Sequence, residues 1–147
     1  MSSGLNEKEY VLNIEYKLNK NITSSEFIEI LKKSKLGERR PLDDLKTIKG
    51  MIENADIIIT ARIDEKIIGV ARAVTDFSYC CYLSDLAVDE QYQNKGIGKE
   101  LISKIQEQLS DDCMIILLAA PAATRYYPKL GFTQHNSAWT IKKNKLS

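Results

Sequence analysis

Several scarcities bound this 147-residue chain before any motif is read. It holds a single histidine, His135, so an imidazole-rich zinc site or a Cys–His nucleophilic pair has little material to draw on. No metal is expected. Its three cysteines, Cys80, Cys81 and Cys113, form no CxxC spacing, and an odd count argues against a disulfide framework. They read as reduced, small hydrophobic residues of a cytoplasmic protein, with Cys80 or Cys81 as nucleophile a minor alternative. Charge of one sign is missing too: 21 basic residues face 20 acidic ones, leaving +1. That balance creates no bulk attraction for nucleic acid or an anionic membrane, so an anion site must come from local geometry. Long apolar runs are absent. The longest, Cys113 to Ala123, falls far short of the roughly 20 residues that span a bilayer. Met1 to Glu7 lacks the apolar core of a signal peptide. What is present is ordinary, 44% hydrophobic and 28% charged, enough for one domain over 1–147 and too little for two.

Periodicity then orders the chain. Tyr10 to Leu18 alternates, with Leu12, Ile14, Tyr16 and Leu18 on one face, as a half-buried strand does. Thr23-Ser24-Ser25-Glu26 is a capping box flanked by Ile22 and Phe27, and the helix it opens stops before Gly37. Pro41 begins a second helix with Leu45, Ile48 and Ile52 on one face. Two β-rich runs, Ile57 to Ile63 and Ile67 to Val74, flank Asp64-Glu65-Lys66 as a hairpin, and Tyr79 to Val88 supplies the next strand. A helix with Ile97, Leu101, Ile105 and Leu109 inward follows, with Glu100 and Lys104 spaced for a surface pair. Met114 to Leu118 is wholly apolar, as a central strand would be. Ala122 to Leu130 reads as a short helix with Gly131 as its C-cap, although Pro128 suits only a first turn or a kink. Phe132 to His135 and Ala138 to Lys142 suggest a terminal strand pair. The expected order is β-α-α-β-β-β-α-β-α-β-β, a single α/β (α+β) layered domain.

The most informative stretch is Tyr82 to Leu109. An apolar strand ends at Leu86-Ala87-Val88, and Gln93-Asn94-Lys95-Gly96-Ile97-Gly98-Lys99 then opens the amphipathic helix. A helix start exposes unpaired N–H groups and the positive end of its dipole, which together attract anions. Two glycines there remove the Cβ atoms that would keep a large ligand off the backbone. A pyrophosphate is the leading ligand idea. Lys95 and Lys99 add charge; Gln93 and Asn94 add donors. Two familiar nucleotide loops are excluded. The dinucleotide fingerprint needs a third glycine where Leu101 stands, and a Walker loop needs four residues between its glycines and Ser or Thr where Glu100 stands. The bland alternative is a tight turn that binds nothing.

Gln93-x-x-Gly96-x-Gly98 after Leu86-Ala87-Val88 resembles the acyl-CoA signature of the GNAT N-acetyltransferase superfamily. Ala123-Thr124-Arg125-Tyr126-Tyr127-Pro128-Lys129-Leu130-Gly131-Phe132 resembles the family's helix with an aromatic pair running into Leu-Gly-Phe. The resemblance implies a mixed, mostly antiparallel central sheet flanked by helices, with acetyl-CoA as co-substrate. It implies that Leu86, Ala87 and Val88 take the pantetheine arm as an added strand, through backbone groups of Leu86 and Val88. The amides from Gln93 to Lys99, including Asn94, Lys95, Gly96, Ile97 and Gly98, would hold the pyrophosphate. Tyr127 matches the tyrosine that in many members protonates the departing thiolate. Ala120 departs from the asparagine often found there.

Acyl transfer to an amine then needs a neutral amine, an aligned carbonyl, and stabilisation of the oxyanion and the thiolate. A strand amide near Leu86 is the oxyanion donor, and the Tyr127 phenol is the acid; its bland alternative is a half-buried helix aromatic with a surface hydroxyl. Asp85, an acid inside an apolar strand, is either a base or anchor for the acceptor or one half of a structural ion pair. Tyr82 and His135 are weaker bases, and water can serve. Arg39 and Arg40, between the first two helices, suit an acceptor bearing a carboxylate or phosphate, or else form a solvated loop. Tyr79, Tyr82, Tyr126 and Trp139 either wall the acceptor site or pack the core. The reading is an acetyl-CoA-dependent N-acetyltransferase acting on a small-molecule primary amine by direct attack in a ternary complex. Its rivals are a protein N-acetyltransferase, a non-catalytic acyl-CoA-binding module, and a pure interaction domain. No nucleic acid or membrane partner is expected, and terminal strands that can pair between subunits lean toward a homodimer.

Overall fold

The computed structural model describes residues 13–19 and 21–147. Tyr10 and Leu12 of the first expected strand lie outside the described residues. Contacts divide the chain into two units, 1–117 and 118–147. In the first unit, strands β1 (Glu15–Leu18), β2 (Ile57–Ile63), β3 (Lys66–Thr75), β4 (Cys80–Val88) and β5 (Met114–Ile116) form one sheet in chain order. The first three pairings are antiparallel, and only β4 with β5 is parallel. The β2–β3 hairpin turns at Asp64, whose φ of 52° shows the left-handed backbone that Asp tolerates.

Three helices cover the sheet: α1 (Ser24–Lys33), α2 (Leu45–Glu53) and α3 (Ile97–Gln106). Phe27, Ile30, Leu31, Ile48 and Ile52 form one cluster with Ile58, Val70 and Ala87, which places α1 and α2 on one sheet face. The neighbouring position Gly69 faces the other way. A Cβ built there would lie 3.2 Å from Leu101 Cδ1, 3.3 Å from the Ala87 carbonyl and 3.4 Å from Ile97 Cγ2, so α3 packs where β3 has no side chain. Burying apolar side chains on both faces gives about 1.5–3 kcal/mol each. No helix among the described residues is long and apolar enough to cross a membrane.

Several expectations need correction. Helix α2 starts at Leu45, not Pro41, because Asp44 caps it: its carboxylate accepts from Thr47 N at 3.1 Å and Thr47 Oγ1 at 2.7 Å. Pro41 instead sits in the preceding turn, where its carbonyl accepts from Asp44 N. Leu45 is 51% exposed. Strand β5 lies at the sheet edge, with Met114 63% exposed; a wholly apolar run was insufficient to place it centrally.

In the second unit, a 3₁₀ turn (Pro121–Ala123) precedes a four-residue helix α4 (Tyr126–Lys129). The expected Ala122–Leu130 helix is thus broken, and Pro128 falls in the first turn of the shorter one, where its missing N–H costs nothing. Gly131, at φ 98°, ends it. No strand forms among the described residues 132–147, so the expected terminal pair is absent.

Candidate acyl-carrier site

Strand β4 has a partner along its whole length on one side only. The β3 ladder runs from Thr75 opposite Cys81 to Gly69 opposite Val88. The β5 ladder stops where Tyr82 meets Ile116, so Leu83 to Val88 has no strand partner on that side among the described residues. Backbone direction follows from two contacts. Asp89 N donates to Ile68 O at 2.8 Å, and the Ala87 carbonyl approaches Gly69, so Ala87 and Asp89 address β3. Alternate residues of a strand point their backbone groups to opposite sides, so Leu86 and Val88 address the open side. A sheet edge of this kind accepts an extended ligand as a further strand.

The edge leads directly into the glycine turn. A 3₁₀ turn (Glu90–Tyr92) follows β4, with Asp89 accepting from Gln91 N at 2.9 Å. Gln93 Nε2 donates to Val88 O at 3.1 Å, which folds the turn back onto the strand. Asn94 takes φ 63° and Gly96 φ 80°, both left-handed. Gly96 is the N-cap of α3 and offers no side-chain cap. A Cβ at Gly96 would meet nothing within 4 Å, so it is the backbone φ and not crowding that favours glycine there. Ile97 and Gly98 are buried, whereas Gln93, Asn94 and Lys99 are exposed and Lys95 half-buried. Of the ten residues expected to hold an acyl carrier, Leu86 and Val88 address the open edge, Ala87 addresses β3, and the other seven form the turn and helix start that continue the strand. The donor set suits a diphosphate: backbone N–H groups, one left-handed glycine and flanking lysines.

The expected acceptor and catalytic residues separate into distinct environments. Asp85 is 1% exposed and bound by two arginines: Arg40 Nε donates to Oδ1 at 2.6 Å and Arg72 Nε to Oδ2 at 2.5 Å. Both Asp85 oxygens are therefore occupied by guanidinium groups, the arrangement that the ion-pair alternative describes. Arg40 spends its guanidinium on this network, donating also to Ser84 O at 2.7 Å and Arg39 O at 3.0 Å. Arg39 is exposed. Tyr82 is 41% exposed on β4 and Tyr79 is 78% exposed, neither packing the core. Burial pushes the Cys81 thiol above its ordinary 9.0, which disfavours the thiolate a nucleophile needs. In the second unit, the half-buried Tyr127 ring meets Tyr126 edge-on at 5.2 Å and Phe132 at 5.4 Å. Trp139 is 92% exposed.

Two participants escaped the sequence reading, Arg72 and Ser84. The signal was present: an arginine and an aspartate interrupt two otherwise apolar strands, and Arg72 and Asp85 are cross-strand partners. Only the register, shifted by a bulge, brings them opposite each other.

Residues 24–132 match the family model described as the acetyltransferase (GNAT) family. The chain is 33% identical over 120 residues to the uncharacterized N-acetyltransferase ycf52 of Pyropia yezoensis, covering 78% of this chain and 67% of that protein. The chain spans half to two thirds of the length of the ycf52 proteins of Pyropia yezoensis, Gracilaria tenuistipitata var. liui and Porphyra purpurea that it matches. Among solved structures, an acetyltransferase of the GNAT family from Streptococcus pneumoniae TIGR4 aligns with TM-score 0.74 at 17% identity, covering 90% of this chain and 99% of that one. An aminoglycoside N-acetyltransferase in complex with CoA aligns with TM-score 0.68 at 19% identity, over 89% and 95%. At these identities the two structures establish the fold alone.

Proposed function

This chain belongs to the acetyltransferase (GNAT) family, a family of acyltransferases, and on that premise we propose that it moves an acetyl group from acetyl-CoA to a primary amine of a small molecule. The observation that carries this reading is the open edge of β4 running into an uncapped, glycine-led helix start. The edge offers alternating donors and acceptors to an amide-bearing arm, and the turn offers N–H groups to a diphosphate. In this reading Leu86 and Val88 hold the pantetheine amides, and the amides of residues 93–99 hold the pyrophosphate.

The amine nitrogen attacks the thioester carbonyl, the C–S bond breaks, and the thiolate takes a proton while the new amide loses one to water. Direct transfer needs no covalent enzyme intermediate, in keeping with the buried, raised Cys81. A strand amide near Leu86 is the oxyanion donor of this proposal. Tyr127 is its acid, on the strength of the motif match alone. Support for a small acceptor comes from the aminoglycoside N-acetyltransferase that shares the fold. The pairing of Asp85 with Arg40 and Arg72 leaves proton removal to solvent or to the acceptor's own equilibrium.

Thermal-shift titration with CoA and acetyl-CoA tests the first half, and thiol release across aminoglycosides, polyamines and a lysine peptide tests the second. CoA-induced stabilisation with turnover on a small amine is the expected result. Stabilisation without turnover on any amine would mark a binding module, turnover on the peptide alone a protein acetyltransferase, and no stabilisation would refute the reading.

A further inference from the structure

Strand β4 contains one more residue than β3 can match. Arg72 is opposite Asp85 and Ala73 is opposite Leu83, so Ser84 is the extra residue of a β-bulge. A bulge leaves its extra residue outside the ladder and bends the strand. The bulge falls two residues past Tyr82, where the β5 ladder ends, and just before Leu86 and Val88. It therefore decides which backbone groups address the open edge: without it, a one-residue slip would turn Leu86 and Val88 toward β3 and bring Ala87 out.

Two arginines hold that residue. Arg40 Nη2 donates to the Ser84 carbonyl at 2.7 Å, and Arg72 Nη2 donates to the Ser84 hydroxyl at 2.8 Å. Both guanidinium groups are fixed in turn on the adjacent Asp85 carboxylate. Arg72 Nη1 reaches the Met51 carbonyl at 3.3 Å near the end of α2. The side chains are 18% (Arg40), 8% (Arg72) and 0% (Asp85) exposed, so the network is sheltered from water and from salt. Arg40 comes from the connection between α1 and α2, a segment also held by local turns, by Leu36 and Leu42 against the core, and by a Lys35–Glu90 ion pair.

We infer that Arg40, with Arg72 and Asp85, is a clamp that positions the β4 bulge and so sets the backbone register offered to the pantetheine arm. The three side chains are positioning residues: they act through Ser84 and do not touch the reacting atoms. The inference rests on the acyl-CoA reading above and adds to it a division of labour. The clamp governs the arm, and the turn at 93–99 governs the diphosphate.

Calorimetric titration of two probes separates these. One is CoA; the other is adenosine 3′-phosphate 5′-diphosphate, which keeps the phosphates and lacks the arm. Arg40→Met is expected to weaken CoA at least tenfold while binding the fragment within twofold of the wild type. Arg40→Lys, with the charge but not the fork, is expected to recover part of the loss. Should Arg40→Met fail to fold, Ser84→Ala removes only the hydroxyl held by Arg72 and is expected to show the same selectivity at a few-fold size. Unchanged CoA affinity in the variant, or equal weakening of both probes, would overturn the clamp. A wild type that binds neither probe would instead overturn the acyl-CoA reading itself.

Discussion

Helices α1 and α3 are each ten residues long and begin in opposite ways. In α1, Thr23 is the N-cap, its hydroxyl accepts from Glu26 N at 3.1 Å, and the Glu26 carboxylate accepts from Thr23 N at 3.0 Å. Two orphan donors are thereby satisfied, and an acid sits at the positive end of the dipole. In α3, the same two positions hold Gly96 and Lys99. There is no side-chain cap, the N-cap backbone is left-handed, and a lysine faces the positive end. The first helix start is built for its own stability. The second has no side-chain cap on its donors and sets Lys99 beside Glu100 in its first turn, an arrangement that an anion can complete.

The largest effect expected from breaking this contrast is at Gly98. In Gly98→Glu, bulk and a negative charge enter the turn where the diphosphate would lie, and CoA-induced stabilisation should vanish. For a ligand at about 100 times its Kd that is a loss of roughly 2.7 kcal/mol. Thermal shift with and without CoA is the measurement; retained stabilisation would remove the turn as the anion site.

Holding the carrier and reacting it are separable, and Tyr127→Phe sharpens that line. A general acid contributes on the order of 100-fold or more, so turnover should fall by about that factor while CoA affinity stays within twofold. Full activity in the variant would dismiss the phenol as acid.

At α1 the outcome should be reversed. Thr23→Ala removes the cap and is expected to cost about 1 kcal/mol, a few degrees of melting temperature, with CoA binding untouched. A change in CoA affinity would mean that the two helix starts are not independent.

This asymmetry also explains what was legible in advance. Thr23-x-x-Glu26 and Gln93-x-x-Gly96-x-Gly98 are local signals, in which every participant lies within one turn, and both formed where expected. Hydrophobic periodicity likewise gave Ile97, Leu101 and Ile105 as the buried face of α3, although Leu109 lies past the helix end at Gln106, because 3.6-residue spacing is a property of one segment. Of the Arg40–Asp85–Arg72 network, the sequence offered an ion pair at Asp85 as one alternative, without its partners. Its members are separated by up to 45 residues, and only a bulge at Ser84 sets their register. Strand β5 was misplaced for a related reason: an apolar composition says that a strand can be buried on both faces, not how many neighbours it acquires.

The most discriminating small effect is at Lys99, because stability and binding should move in opposite directions. Lys99 is exposed and occupies the position that Glu26 holds in the capping box of α1. Lys99→Glu replaces a charge that opposes the helix dipole with one that favours it, and an acid at this position can reach back toward the Gly96 N–H. The expected gain without ligand is roughly 0.5–1 kcal/mol at low ionic strength, shrinking as salt is added. Affinity for CoA should fall several-fold at the same time, since the same carboxylate now repels the diphosphate. Paired unfolding and titration curves read both signs in one preparation. A variant that is less stable, or that binds CoA as well as the wild type does, would mean that Lys99 is an ordinary solvated lysine. The turn would then depend on its backbone N–H groups and Lys95.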